Sequence, residues 1–180
     1  MSNLTLLESD LQIVSIDTED IPGVVELLRA NGMNYGSVEF YREYFYKVQM
    51  DRRMVGCVAV IPRTGFSEIK SLLVDQEYRS FKVFNKISDF VTLKSLEHDR
   101  PCVVVKVSKH NPAVLLYRRK RFKPLTVSEY PEIYGSLKQD CVACHAIVKN
   151  ICNPTYLVID TRKTPYDIEE WKNKVEAGTE

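Results

Sequence analysis

Three strand-like segments follow one another closely in the middle of the chain, and this succession constrains the fold most. They are Tyr46–Met50, Met54–Ile61 and Glu68–Val74, and the connections between them are short and rich in polar, proline or glycine residues. Connections of this length join strands that run antiparallel to each other. The pattern therefore predicts an antiparallel meander of three strands.

The segment before the meander indicates a strand followed by a helix. Leu11–Ile16 alternates like a short strand, and Asp17–Asp20 supplies helix-capping side chains ahead of an apolar stripe that ends near Asn31. A glycine-containing loop then precedes a short tyrosine-rich helix, predicted over Val38–Tyr44.

The segment after the meander returns to helical spacing. Apolar residues from Val83 to about Leu96 predict a long amphipathic helix, and the β-branched run Cys102–Val107 is typical of a strand buried on both faces. Pro112 then stands in a favoured position for opening another helix. The order of strands and helices predicts an α/β fold with a mixed sheet.

The C-terminal part, residues 125–180, carries weaker patterns. Ala143–Lys149 and Tyr156–Asp160 could form a terminal hairpin, and Asp167–Ala177 is predicted as a last helix. A length of 180 residues favours one domain spanning the whole chain.

The composition excludes several classes of protein. An apolar share of 44% and a charged share of 27% are typical of a globular protein rather than a disordered one, and no apolar run is long enough to span a membrane. Met1–Asp10 lacks the features of a secretion signal, so we expect a cytoplasmic protein whose five cysteines are thiols. A net charge of +1 argues against a surface built throughout for nucleic acid.

Two segments resemble signatures of the GCN5-related N-acetyltransferases (GNATs). The segment from Glu68 to Arg79 is similar to the family's central strand and the turn that leads to its cofactor helix. The segment from Asn111 to Phe122 is similar to the later signature, which has an Asn, an Ala two residues on, then Leu-Tyr, and a Phe five positions beyond the Tyr. Two spaced signatures thus agree with one order of strands and helices, over roughly Leu11 to Phe122.

The resemblance implies the GNAT-like acyl-CoA N-acyltransferase fold: a mixed, mostly antiparallel sheet, flanked by helices and splayed into a V between its central strands. The pantetheine arm of acetyl-CoA would lie in the V, along the backbone of Leu72, Leu73 and Val74. Strands that part leave amide groups unpaired, and a ligand that carries its own amides can restore the ladder. The helix that follows would present its first-turn N–H groups to the pyrophosphate.

The predicted cofactor loop departs from the family pattern at both of its glycines. The pattern is Arg or Gln, two residues, Gly, one residue, then Gly or Ala, whereas this chain has Lys82 and Phe84 at the two small positions. Lys82 could pair with a phosphate, or the pocket could be closed. Arg121 likewise stands where the later signature usually has Gly. The predicted cofactor-binding residues in and beyond this loop are Arg79, Ser80, Phe81, Lys82, Val83, Phe84 and Asn111.

Two residues are candidates for acid–base catalysis. Acetyl transfer requires a neutral amine, so a base is useful, and Glu68 holds the place of the catalytic glutamate of the histone acetyltransferase branch. The alternative is a solvated carboxylate at a strand end. Tyr117 matches the tyrosine that protonates the leaving thiolate in many relatives, or it is a core tyrosine. Asn111 could bond the pantetheine arm or only cap its helix.

Other clusters are weaker candidates. The basic run Arg118–Arg121 with Lys123 could bind the 3′-phosphate of CoA or nucleic acid, or be a solvated helix face. Cys141, Cys144 and His145 match a haem-attachment pattern, and with Cys152 they offer four zinc-ligand side chains, but neither spacing nor context favours a metal. Four tyrosines stand where relatives build the acceptor wall, or belong to core and rim: Tyr35, Tyr41, Tyr44 and Tyr46.

The leading hypothesis is an N-acyltransferase that passes an acyl group, most simply acetyl, from acyl-CoA directly to an amine. The acceptor would be an amine-bearing small molecule or a protein, and the chain a monomer or homodimer without a membrane partner. The alternative is a catalytically inactive GNAT-like domain that binds protein or nucleic acid, with nucleic acid the less favoured partner.

Overall fold

The computed structural model describes residues 11–108, 111, 113–142 and 154–162. The strands are β1 (Gln12–Ser15), β2 (Phe45–Met50), β3 (Arg53–Arg63), β4 (Phe66–Val74), β5 (Cys102–Ser108), β6 (Lys123–Pro124) and β7 (Pro154–Asp160). The helices are α1 (Ile21–Ala30), α2 (Phe81–Glu97), α3 (Ala113–Arg119) and α4 (Pro131–Val142), with single 3-10 turns at Arg42–Tyr44 and Gln76–Tyr78.

The described strands form one sheet in the order β1-β2-β3-β4-β5-β7-β6. Strands β1 to β4 form a continuous antiparallel meander, β4 and β5 pair in parallel, and β7 runs antiparallel to both β5 and β6. The predicted meander and the mixed, mostly antiparallel sheet are confirmed. The parallel pair needs a crossover, which α2 provides.

Helices cover both faces of this sheet, because alternate residues of the central strands are apolar on each side. Val103 and Val105 of β5 pack with Ile87 of α2 on one face. Val104 packs on the other face with Leu137 of α4. Helix α3 shares the face of α2, and α1 packs over the β2–β4 end of the face that carries α4. The central strands are therefore buried on both sides, as the run of β-branched residues predicts.

Several predicted elements differ from the structure. The tyrosine-rich helix predicted over Val38–Tyr44 is wrong: the segment forms turns and only the 3-10 turn Arg42–Tyr44. Tyr156–Asp160 is a strand as predicted, but the strands it pairs with in the described part of the chain are β5 and β6. Its proposed hairpin partner Ala143–Lys149 and the predicted helix Asp167–Ala177 lie outside the described residues.

Helix α4 and the short strand β6 were not predicted from the sequence. The weak amphipathic pattern of α4 explains the omission, since Leu137 is its one buried residue among those whose side chains are described. No helix in the described part of the chain is both long and apolar enough to cross a membrane.

Candidate active site

The parallel strands β4 and β5 separate partway along their length. Their pairs run from Ser67–Val103 to Ile69–Val105 and then stop, although β4 continues to Val74 and β5 to Ser108. The predicted V between the central strands is therefore confirmed. The predicted pantetheine residues Leu72, Leu73 and Val74 lie on β4 beyond the last of these pairs.

A β-bulge in β4 begins directly after the last parallel pair. Opposite β3, Cys57 pairs with Leu73 and Ala59 pairs with Lys70, so β4 carries one extra residue. Ser71 takes a left-handed φ of 54° there, and its carbonyl accepts a hydrogen bond from the Cys57 thiol at 3.4 Å. A bulge bends its strand. The bulge thus coincides with the point at which β4 leaves β5.

The bulge also changes which side chains face α2. Ile69 faces the α2 side of the sheet, and after the extra residue Leu72 and Val74 pack toward that side while Leu73 packs toward α1. Regular alternation from Ile69 would have turned Leu73 toward α2 instead. Sequence reasoning missed the bulge because serine at this position gives no signal for a left-handed φ.

Helix α2 begins with a well-formed cap. The Ser80 hydroxyl accepts a hydrogen bond from the Val83 N–H at 3.1 Å, and the Arg79 guanidinium donates to the Val74 carbonyl at 2.7 Å. Phe81 is 47% exposed at the first helical position, and Lys82 beside it is exposed. The turn after β4 therefore presents a helix N-terminus next to the open end of the V, a position favourable to an anion.

Phe84, at the second position where the GNAT loop pattern has a small residue, points its side chain into the core. Phe84 is buried, and its ring meets the Tyr117 ring edge-on at 5.4 Å. Tyr117 in turn contacts the Phe122 ring at 5.3 Å. This aromatic cluster, formed by Phe84, Tyr117 and Phe122, joins α2 to α3 on the same face as Leu72 and Val74.

Tyr117 is only 4% exposed within the aromatic cluster. Burial raises the pKa of its phenol above the ordinary value of 10. The hydroxyl therefore keeps its proton throughout the neutral range, which is the state required of a proton donor and also the ordinary state of a core tyrosine.

Glu68 lies on the opposite face of the sheet from Tyr117, in the paired part of β4. Its side chain is 1% exposed, and Arg63 donates to its Oε2 from Nη2 at 2.8 Å and from Nε at 3.1 Å. The alternative of a solvated strand-end carboxylate is therefore wrong. Arg63 also donates to the Tyr41 hydroxyl at 3.2 Å and to Asp140 at 3.5 Å.

Arg63 and Asp140 were not identified from the sequence. Arg63 follows the apolar run of β3, and Asp140 lies 77 residues further on in α4. Only the folded chain brings them to Glu68. The ion pair and hydrogen bonds with Glu68 raise the pKa of Arg63 despite burial, which acts against the charged form.

Solved structures with the same fold include several acetyltransferases. The N-acetylglutamate synthase of Neisseria gonorrhoeae, solved with coenzyme A and N-acetylglutamate, gives a TM-score of 0.68 at 17% identity, covering 86% of this chain and 36% of that chain. A GNAT family acetyltransferase of Elizabethkingia anophelis with acetyl-CoA bound gives 0.61 at 16% identity, covering 85% and 99%. The fold is that of the GNAT acetyltransferases.

A third GNAT-fold structure, of the NatC complex bound to a Gag peptide and CoA, gives a TM-score of 0.63 at 14% identity and covers 84% of this chain and 98% of that chain. This chain spans about a third of the length of the N-acetylglutamate synthase. No protein-family model matches the sequence, and no curated protein matches it either.

The second GNAT signature has a structural explanation at Arg121. Helix α3 ends in a turn where the Phe122 N–H bonds the Tyr117 carbonyl at 3.1 Å and Arg121 takes a left-handed φ of 67°. Such a helix C-terminus favours glycine, which explains the residue usual in GNAT proteins at this position. The turn therefore holds an arginine in a backbone conformation that favours glycine.

Asn111 precedes the same helix and acts as a cap. Its side-chain Oδ1 accepts a hydrogen bond from the Ala113 N–H at 2.9 Å, and its carbonyl accepts one from Val114 at 3.0 Å. These contacts account for the residue at the start of α3. A bond from Asn111 to the pantetheine arm stays a prediction.

The basic run of α3 is partly engaged within the fold. Lys120 forms an ion pair with Asp89 of α2 at 2.9 Å, and the Arg119 guanidinium lies 5.7 Å from the centre of the Phe81 ring. Arg118 and Arg121 are exposed. Of these groups, the Arg119 guanidinium therefore lies beside the first residue of α2.

The predicted acceptor tyrosines separate into different environments. Tyr41 accepts a hydrogen bond from Arg63 at the Glu68 site, and Tyr44 packs on His98. Tyr46 packs on Phe90 of α2, and Tyr35 is exposed. Among the described residues no cluster of three or more His, Cys, Asp or Glu side chains could hold a metal. Cys144, His145 and Cys152 lie outside the described residues, and the side chain of Cys141 is not described.

Proposed function

We propose that this chain is an N-acyltransferase that transfers an acyl group, most simply acetyl, from acyl-CoA directly to an amine. The observation that carries the proposal is the separation of β4 from β5 after the Ile69–Val105 pair, with a bulge at that point and a helix N-terminus at the open end. The solved structures of this fold that contain CoA or acetyl-CoA support the proposal.

The described residues fit a CoA thioester in two places. The β5-facing backbone of Leu72, Leu73 and Val74 would pair with the amides of the pantetheine arm, because these groups lie beyond the last parallel pair. The N–H groups at the start of α2, at Phe81 and Lys82, would hold the pyrophosphate, and the bond from the Val83 N–H to the Ser80 hydroxyl would keep this turn in place.

The remaining loop residues would act around these groups. Arg79 holds the turn between β4 and α2 by its hydrogen bond to the Val74 carbonyl. The buried ring of Phe84 packs against the ring of Tyr117. The exposed Lys82 would pair with a phosphate in place of the close backbone approach that glycine gives GNAT proteins. Arg118 and Arg121 would add positive charge near the 3′-phosphate.

The transfer step uses one residue from each face of the sheet. Glu68 would take a proton from the acceptor ammonium, and the resulting amine would attack the thioester carbonyl so that a C–N bond forms and the C–S bond breaks. The departing thiolate would take the proton of Tyr117, giving the amide and free CoA thiol. Tyr117 would then be reprotonated by the proton that the nitrogen loses as the amide forms.

The acceptor would approach from the Glu68 face. The N-acetylglutamate synthase and the NatC complex were solved with an N-acetylated amino acid and a peptide respectively, so we propose an amino acid, another small amine or a peptide N-terminus. The loop that ends at Tyr41 lies on this face and carries Phe40, which is 79% exposed. An exposed aromatic side chain there would contact the body of the acceptor.

Cytoplasmic location stays a prediction. Among the described residues with described side chains, Cys57 and Cys102 are buried thiols, the form expected in a reducing compartment. A single domain over residues 1–180 and a monomeric or homodimeric state are also predictions.

The first test is binding of the cosubstrate. Isothermal titration with acetyl-CoA and with CoA should give heat, and either ligand should raise the melting temperature by mass action. Release of CoA thiol would then be followed with a panel of amines: the common amino acids, a polyamine and a short peptide with a free N-terminus. Glu68→Gln should lower turnover and keep acetyl-CoA affinity.

A catalytically inactive domain is the second candidate. The large side chains of Lys82 and Phe84, at the two positions where the GNAT loop pattern has small residues, favour it. Phe84 contacts Tyr117, and the Arg119 guanidinium lies over the Phe81 ring, so side chains from α2 and α3 meet beside the V. If neither acetyl-CoA nor CoA binds at high protein concentration, the acyltransferase proposal fails and this candidate replaces it.

A further inference from the structure

The carboxylate of Glu68 uses only one of its oxygens in the ion pair with Arg63. Both guanidinium bonds, at 2.8 and 3.1 Å, end on Oε2. Neither of these two bonds reaches Oε1. The two oxygens of this carboxylate are therefore in different situations, although the side chain as a whole is 1% exposed.

Arg63 is itself held by two other parts of the fold. Its Nη1 donates to the Tyr41 hydroxyl at 3.2 Å, its guanidinium lies 5.3 Å from the centre of the Tyr41 ring, and its Nη2 lies 3.5 Å from Asp140 of α4. A guanidinium is planar and rigid, so these contacts fix its direction as well as its place. The β3–β4 hairpin, the loop before β2 and α4 together orient this one group.

Among the described residues, Lys70 is a further charged group near this site, and it follows Glu68 on the same face of β4. Its Nζ lies 5.9 Å from the centre of the Tyr41 ring. Asp140 is 43% exposed, so its charge is screened by water more than that of Glu68. Arg63 is therefore the cation that contacts the buried carboxylate directly.

We infer that Arg63 is a positioning residue for Glu68: it holds Oε2 with two hydrogen bonds and leaves Oε1 to take the proton of the acceptor. The inference rests on the proposed acyl transfer. The proton passes from the acceptor ammonium to Oε1, the N–H bond breaks as an O–H bond forms, and the neutral amine is then free to attack. Arg63 exchanges no proton in this step, because guanidinium groups stay protonated in proteins.

The test separates the position of the Glu68 carboxylate from the folding of the protein. Arg63→Met removes both hydrogen bonds to Oε2 together with the charge, whereas Arg63→Lys keeps the charge without the planar fork. Thermal unfolding shows that each variant is folded before its turnover is measured.

Turnover is measured on the same proteins with acetyl-CoA and the most active amine of the panel. At pH 7, kcat should fall about 100-fold in Arg63→Met and be partly restored in Arg63→Lys, with the KM for acetyl-CoA unchanged. Arg29→Met is the control: Arg29 pairs with Glu26 on the exposed side of α1, and its loss should leave kcat and the KM for acetyl-CoA near wild type. If Arg63→Met does not fold, Arg63→Gln replaces it.

The results separate the inference from the proposed function. An unchanged kcat in the folded Arg63 variant overturns the inference, because the ion pair would then serve only the fold. An equal loss of kcat in Arg63→Met and Arg63→Lys also overturns it, because keeping the charge would then restore nothing. Absence of acetyl-CoA binding or of turnover in the wild-type protein refutes the proposed function itself, and a failure confined to the Arg63 variants does not.

Discussion

Tyr117 combines a buried ring with a hydroxyl that keeps its proton, and these two properties can be separated by Tyr117→Phe. The change keeps the ring contacts with Phe84 and Phe122 and removes only the proposed proton donor. We expect kcat to fall about 100-fold, the lower range for loss of a general acid, with little change in melting temperature. CoA thiol release and thermal unfolding measure the two effects.

Tyr46→Phe is the matched control for this prediction. Tyr46 is also a buried tyrosine on the α2 face of the sheet, where it packs on Phe90. Loss of its hydroxyl should leave turnover near wild type. Equal turnover in both variants and the wild-type protein would exclude Tyr117 as the proton donor.

At this scale the sequence predicted the residues that belong to signatures and missed those that depend on folding. Glu68 and Tyr117 were found because they stand in ordered local patterns. The structure places Glu68 in β4 on one face of the sheet and Tyr117 in α3 on the other face. Arg63 and Asp140 carry no local signal: the contact of Arg63 with Glu68 depends on the β3–β4 hairpin, and Asp140 lies 77 residues from Arg63 in the chain. Whether Glu68 and Tyr117 act in catalysis stays a prediction.

The N-terminus of α2 is the element that would hold the pyrophosphate, and Ser80 allows its stability and its charge to be changed separately. Ser80→Ala removes the bond to the Val83 N–H and should cost about 1 kcal/mol of unfolding free energy. Ser80→Asp retains a good capping group but places a carboxylate beside the proposed phosphate site. We expect near wild-type stability and about tenfold weaker acetyl-CoA binding, because like charges repel.

Urea unfolding and isothermal titration with acetyl-CoA measure these two changes. Ser80→Asn serves as the neutral control, since asparagine caps as well as aspartate without the charge. Wild-type affinity in Ser80→Asp would place the pyrophosphate elsewhere, and the proposed role of residues 80–83 would then be wrong.

The elements themselves were largely predictable because the period of apolar residues changes clearly along the chain. The meander, α2 and β5 follow from that pattern. The bulge at Ser71 does not, because its left-handed φ is imposed by the mismatch between β3 and β4 rather than by the residue. The same limit applies to α4, whose weak apolar periodicity gives little sign of a helix.

For the whole molecule, buried thiol and phenol groups predict a loss of stability at alkaline pH. Burial, with a smaller effect of Asp75, raises the pKa of Cys57 from 9.0 to about 12, and burial also raises the pKa values of Tyr46 and Tyr117 above 10.0. These groups stay neutral in the fold, whereas the unfolded chain releases their protons from about pH 9 upward. Stability is therefore complete below pH 9 and falls as pH rises toward 12.

Cys57→Ala tests the largest part of this dependence. Since one pKa unit corresponds to about 1.4 kcal/mol, Cys57 alone should remove about 2–3 kcal/mol of unfolding free energy between pH 8 and pH 11. The variant should start less stable, because it loses a buried thiol, but its stability should decline less over that interval. Urea unfolding at a series of pH values measures both slopes. Equal slopes in the variant and the wild-type protein would contradict this prediction. They would show that the Cys57 thiol ionises as readily in the folded protein as in the unfolded chain, so that burial would not raise its pKa.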